Sequence, residues 1–183
     1  MPSQTSWRAS CGRILTATPG LLQIRTPCFQ GGVVYPNPMD WQQHILTEPA
    51  RNRDLLAETK TVAVLGIKTE AQAGQPAFYV PRYLASVGYE VIPVPVYYPE
   101  VTHILGHAVY HRLVEIPGAV DLVDVFRRPE DLVGHVEDIV AKRPKAVWLQ
   151  SGIRHDAVAQ RLAEAGIQVV QDRCMMIDHR SLL

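Results

Sequence analysis

The chain has 183 residues, 47% of them apolar and 20% charged, which is enough for one domain with a substantial core. Its 18 basic residues balance 18 acidic ones, which excludes the global positive field that draws a protein to nucleic acid or to an anionic membrane surface. No apolar run in the sequence approaches the roughly 20 residues that a membrane span needs.

Residues 1–38 hold Arg8, Arg13 and Arg25 but no Asp or Glu, among many Ser, Thr, Pro and Gly. With no amphipathic period to bury a face, they read as a disordered leader, or as an over-extended start ahead of Met39. The same composition fits an organellar transit peptide. The expected location is therefore the cytoplasm, with an organelle matrix as the alternative. Cys11, Cys28 and Cys174 form no CxxC and no disulfide framework, in keeping with a reducing compartment. Cys174 is expected to be a small buried hydrophobe.

Residues 39–60 read as a helical arm, with Asp40–Ala57 helical, Trp41, Ile45, Leu55 and Leu56 as anchors, and Pro49 as an interruption. A regular strand–helix alternation fills residues 61–183. "TVAVLG" (Thr61–Gly66) is β-branched and uncharged, as a strand buried on both faces should be. Ala77, Val80, Leu84 and Val87 have helical spacing up to the stop at Gly88, and the prolines 76 and 81 place the regular start near Tyr79. "EVIPVPV" (Glu90–Val96) is a strand whose prolines put it toward an edge, or its pairing toward one end.

"VDLVDVF" (Val120–Phe126) is the third strand, followed by a helix from Pro129 with Leu132, Val133, Val136, Ile139 and Val140 on one stripe. "KAVWLQ" (Lys145–Gln150), a helix over Asp156–Ala165, and "IQVVQD" (Ile167–Asp172) complete the pattern. The alternation predicts an α/β fold: a Rossmann-like, doubly wound, mostly parallel sheet of five or six strands with helices on both faces. Such sheets take ligands at the carboxyl ends of their strands.

A dinucleotide loop would read G-x-G-x-x-G, but Gly66 is followed by Ile67, Lys68 and Thr69, and the next glycine is Gly74. The second strand also ends in "PVPVYYPE", without the acid that holds a ribose. NAD is therefore not the expected cofactor. Lys68 and Thr69, with loop N–H groups and a helix start, remain available to anionic oxygens. Arg127 and Arg128 follow the third strand and Arg154 the fourth, so three strand ends carry cations toward one crevice.

"VAVLGI…GQPAFYVPRYLASVGYEVIPV", "LVDVFRRPED" and "KAVWLQSGIRHDAVAQRLAEAGIQVVQDRCM" together resemble the small CoA-binding proteins, which are similar to the CoA-binding domain of the succinyl-CoA synthetase α subunit. The resemblance runs from Thr61 to His179. It implies that Gly66, Ile67, Lys68 and Thr69 hold phosphate, with Pro76 at the following helix start. Pro93, Val94 and Pro95 would flank the adenosine, where family members often read "PVNP" and this chain reads "PVPV". Val125, Phe126 and Arg127 would follow the next strand, and Gln150, Ser151 and Gly152 the one after. In the synthetase the phosphorylated histidine sits in a second domain and nucleotide cleavage in a partner subunit, so the resemblance implies a domain that binds without catalysing.

Other constellations are weaker. His103, His107 and His111 recur every four residues, as zinc ligands on one helix face would, but Gly106 and β-branched neighbours disfavour a helix there, and no metal is expected. Asp121 reads as a strand start, and Asp124 as an inward or edge carboxylate. Asp172–Cys174 reads as the place of a structural ion pair. The sequence thus points to a non-catalytic protein binding CoA or acyl-CoA, with no nucleic acid or membrane partner. An adenine-nucleotide or NAD sensor, and an interaction module with a vestigial crevice that pairs with a protein partner or itself, are the alternatives.

Overall fold

The computed structural model describes residues 41–183 and a short antiparallel pair, Phe29–Gln30 with Val33–Val34. The chain divides into two compact units, Met1–Pro36 and Asn37–Leu183. Apart from that pair, the leader expected over residues 1–38 lies outside the described residues, as does the expected helix start at Asp40.

The larger unit is built on five parallel strands: β1 (Thr61–Leu65), β2 (Glu90–Val94), β3 (Leu122–Val125), β4 (Ala146–Leu149) and β5 (Gln168–Val170). Their spatial order is β2-β1-β3-β4-β5, with every adjacent pair parallel. The chain winds outward from β1 to β2, crosses back, and then winds the other way through β3, β4 and β5. The doubly wound α/β architecture predicted from the alternation is the observed one, with its topological switch point between β1 and β3. As its prolines implied, β2 is an edge.

Strand side chains alternate between two cores. Val62, Val64, Leu122 and Trp148 pack with Leu55 and Leu56 of α1 (Pro49–Glu58), Phe78 and Leu84 of α2 (Pro76–Ser86), and Met175 of α5 (Met175–Leu182). Ala63, Val123, Val147 and Val169 face the opposite layer, with Ile139 of α3 (Val136–Lys142) and Leu162 of α4 (Asp156–Glu164).

Several elements differ from expectation for physical reasons. Pro49 opens α1 instead of interrupting it, after a 3₁₀ turn at Trp41–His44. Between them the arm runs along β5: Ile45 bridges Val169 in parallel, and Leu46 N donates to Val169 O at 2.8 Å, covering an edge that would otherwise be open. Helix α2 starts at Pro76, not near Tyr79, and carries Pro81 inside. The amide that Pro81 lacks would have bonded Ala77 O. That carbonyl instead accepts from Lys68 N at 3.0 Å, tying the loop after β1 to the first turn of α2. The stretch after Pro129 begins as a 3₁₀ helix through His135, so Val133 falls off the apolar stripe and is 62% exposed. His103–Ile104 and His107–Ala108 form an antiparallel ribbon, which separates histidines that a helix would have aligned.

At the amino ends of the strands, Asp121 ties three elements. Its Oδ2 accepts from Lys60 N, Thr61 N and Thr61 Oγ1, and its Oδ1 pairs with Lys145 Nζ at 2.7 Å. Burial alone would raise its pKa, but Lys145 and the backbone donors outweigh it and hold the group at about 2, below the ordinary 3.8. A depressed carboxyl pKa stabilises the fold above the unfolded value and loses that contribution as pH falls through the folded one. Unfolding midpoints should therefore drop between about pH 4 and about pH 2, and Asp121→Asn should flatten that part of the profile.

Candidate functional site

The site begins where β1 ends. Gly66 has φ +90°, and its N–H donates to Val94 O at 2.8 Å. A Cβ on Gly66 would stand 2.5 Å from Phe126 O and 3.1 Å from Arg127 Cδ. The glycine is thus needed for the close approach of the β1 and β3 ends at the switch point. Ile67 is buried and anchors the loop below.

Two clefts open on either side of this crossing. The first, about 580 Å³, lies on the α2 and α5 side, between the loop at Lys68, the start of α2, the β3 end at Phe126–Pro129, the β4 end at Gln150–Ile153, and Cys174 with Ile177. The second, about 700 Å³, lies on the α3 side, between Leu65, the β2 end at Pro95–Tyr97, and His111, His135 and Asp138.

Between the clefts stands a cationic cluster. Lys68 Nζ lies 5.1 Å and Arg127 Cζ 4.8 Å from the centre of the Tyr97 ring, with Lys68 Nζ also 3.4 Å from Tyr98 Oη. The Arg127 side chain is only 8% exposed, yet its Nε has no partner. Its one carboxylate, Asp131 at 3.0 Å, is shared with Arg128, whose hydrogen bond holds the Asp131 carboxyl below its ordinary range. Lys68 has no carboxylate partner among the described residues. His135, in the second cleft, has its pKa lowered by burial and by Arg127.

Most backbone donors around the first cleft are already used. Pro76 has no N–H, Phe78 and Tyr79 N–H groups turn back to Gln75 O, and Gly152 N donates to Asp172 Oδ1 at 2.6 Å. Beside these donors stand the side-chain cations Lys68 and Arg127, whose N–H groups suit anionic oxygens.

Of the residues singled out from sequence, Lys68, Pro76, Phe126, Arg127, Gln150, Ser151 and Gly152 line the first cleft. Pro95 lines the second. Gly66, Ile67, Pro93, Val94 and Val125 lie buried beneath the strand ends. Thr69 turns away, its hydroxyl donating to Gln72 Oε1 at 2.7 Å. Arg154 pairs with Asp156 at 3.0 Å and lines neither cleft. Cys174 is a half-buried free thiol that packs against the α2–α5 core and lines the first cleft ahead of α5, less buried than expected. The ion pair expected beside it is Arg173 with Asp178. Sequence reasoning missed α5 and Ile177, whereas Tyr97 lies within the β2 end, 93–97, that the strand-end rule assigns to the site.

Fold and site together define a doubly wound α/β sheet over the larger unit, with a charged crossing at its switch point. The chain belongs to the CoA binding domain family, whose model matches residues 60–180. It is 32% identical over 130 residues to the protein YneT of Bacillus subtilis (strain 168), covering 71% of this chain and 93% of that one. A Thermus thermophilus protein of known structure is 42% identical, with a TM-score of 0.69 over 75% of this chain and 100% of its own. A Pyrococcus horikoshii OT3 protein is 29% identical, with a TM-score of 0.67 over 74% of this chain and 92% of its own. Among the described residues no helix is long and apolar enough to cross a membrane.

Proposed function

We propose that this protein binds CoA or acyl-CoA and has no catalytic activity of its own. The observation that carries the reading is the packing of Lys68 and Arg127, which line the first cleft, over the ring of Tyr97, which lines the second. CoA is long, with a diphosphate between adenosine and pantetheine, and a charged crossing between two clefts suits that shape. The diphosphate lies across Lys68 and Arg127, where the unpartnered Arg127 Nε gains an acceptor. Adenosine occupies the second cleft beside Pro95, and pantetheine runs into the first along Val80 and Ile177 toward Cys174. The family membership supports the ligand class. The missing glycine fingerprint and the absence of an acid at the β2 end count against NAD. The cytoplasm is the proposed location.

Thermal unfolding of the full chain with CoA, acetyl-CoA, NAD or ATP tests the reading. A ligand at 100 times its Kd stabilises by about 2.7 kcal/mol, so CoA should raise the midpoint visibly. A rise with NAD in place of CoA contradicts the ligand assignment, and no rise with any of the four favours an interaction module.

A further inference from the structure

Asp124 is the one charged residue of β3 and is fully buried. In register it lies between Val64 of β1 and Trp148 of β4, both on the face covered by α2 and α5. The pleat therefore sends its carboxyl to the same side as the first cleft, just below it. Asp124 Oδ1 accepts from Gln150 Nε2 at 2.7 Å, while Oδ2 has no partner. Gln150 lines the cleft, and its Oε1 accepts from Met175 N at 3.3 Å. A single amide thus joins the buried carboxyl, the end of β4 and the first turn of α5, the wall that also carries Cys174 and Ile177.

We propose that Asp124 is a proton-linked positioning residue of the first cleft, neutral when an anionic ligand is bound, so that binding takes up a proton and weakens as the carboxyl ionises. The proposal rests on the reading that this cleft takes CoA. A buried carboxylate with an unpaired oxygen is costly, and a proton removes the charge. Burial pushes the Asp124 pKa up to about 7, against smaller lowering effects of the Gln150 amide and the Val125 backbone. The titratable groups carried by surrounding elements at this end of the sheet are Lys68, Tyr79, Arg127, Cys174 and the Arg173–Asp178 pair, and none contributes to the shift. A bound anion is then the added charge that disfavours ionisation further. The sign follows: affinity is flat well below about pH 7, where Asp124 is already neutral, and falls by at most about tenfold per pH unit above it.

Calorimetric titration of the full chain with CoA at pH 6 and pH 8, in two buffers of different protonation enthalpy, reads the proton directly. The wild type should take up more proton at pH 8 than at pH 6, and Asp124→Asn should lose that difference. His135 and the phosphates of CoA contribute alike to both proteins, so the comparison isolates Asp124. If the variant does not fold, infrared difference spectra of the wild type at pH 8 should show a protonated-carboxyl band appearing on CoA addition. Equal proton uptake in both proteins, or no such band, overturns the proposal. Absence of any heat with CoA at either pH contradicts the CoA reading and this proposal with it, whereas heat without proton linkage overturns this proposal alone.

Discussion

Gly66→Ala is expected to destabilise the protein by about 3 kcal/mol or more, read as a lowered denaturant midpoint with little change in slope. Two independent costs add. The residue sits at φ +90°, where a side chain is strained. The new methyl would also stand 2.5 Å from the Phe126 carbonyl oxygen. That oxygen is backbone at the end of β3 and cannot swing away as a side-chain tip could. Phe126 N donates to Leu65 O at 2.9 Å, and Gly66 N donates to Val94 O, so displacement would disturb the pairing of three strands at once. Gly74→Ala is the control, since a Cβ there meets nothing within 4 Å. A Gly66→Ala protein as stable as its parent would mean that the β1 and β3 ends are not in this close contact.

The second large effect concerns Arg127. Arg127→Met should weaken CoA binding by about 10- to 100-fold, the loss of one charge-assisted hydrogen bond, while changing stability far less. Methionine keeps most of the buried aliphatic stem in place. Asp131 retains Arg128 at 3.0 Å, so no buried carboxylate is orphaned by the change. Lys68→Met should act in the same direction. Because its ammonium is more exposed and contacts Tyr98 Oη at 3.4 Å, its effect should also be the more sensitive to salt. Calorimetric Kd values at two ionic strengths separate the two roles. Unchanged affinity in Arg127→Met would remove the guanidinium from the ligand site.

The order of elements was legible because buried parallel strands are nearly unbroken apolar runs, as in "TVAVL" and "AVWL". Strand bounds ran long because apolar residues continue past the last ladder bond: Pro95 and Val96 extend the pattern of β2, yet its pairing stops at Val94. Pro81 misled because its missing amide is compensated by a loop N–H from Lys68, a contact between segments that no local rule anticipates. Helix α5 was hidden because it buries only Met175 and Asp178, and the latter is held by Arg173 rather than by an apolar stripe.

The strand-end rule brought Lys68, Arg127 and Gln150 to the site, since each lies within a few residues of a β carboxyl end. It could not reveal how donors are spent. Thr69 bonds Gln72 and Gly152 bonds Asp172, so both are occupied within the protein. The importance of Tyr97 arises only when cations from two different strand ends meet over one ring. Asp124 was readable as an inward carboxylate, but its link to the cleft runs through Gln150 on the neighbouring strand.

A crystal structure of the full chain grown with CoA is the decisive measurement. It should show one ligand crossing the switch point, with diphosphate oxygens between Lys68 and Arg127, adenosine beside Pro95, and pantetheine in the cleft beside Ile177. Density for CoA elsewhere on the molecule, or none at saturating ligand, would contradict this placement.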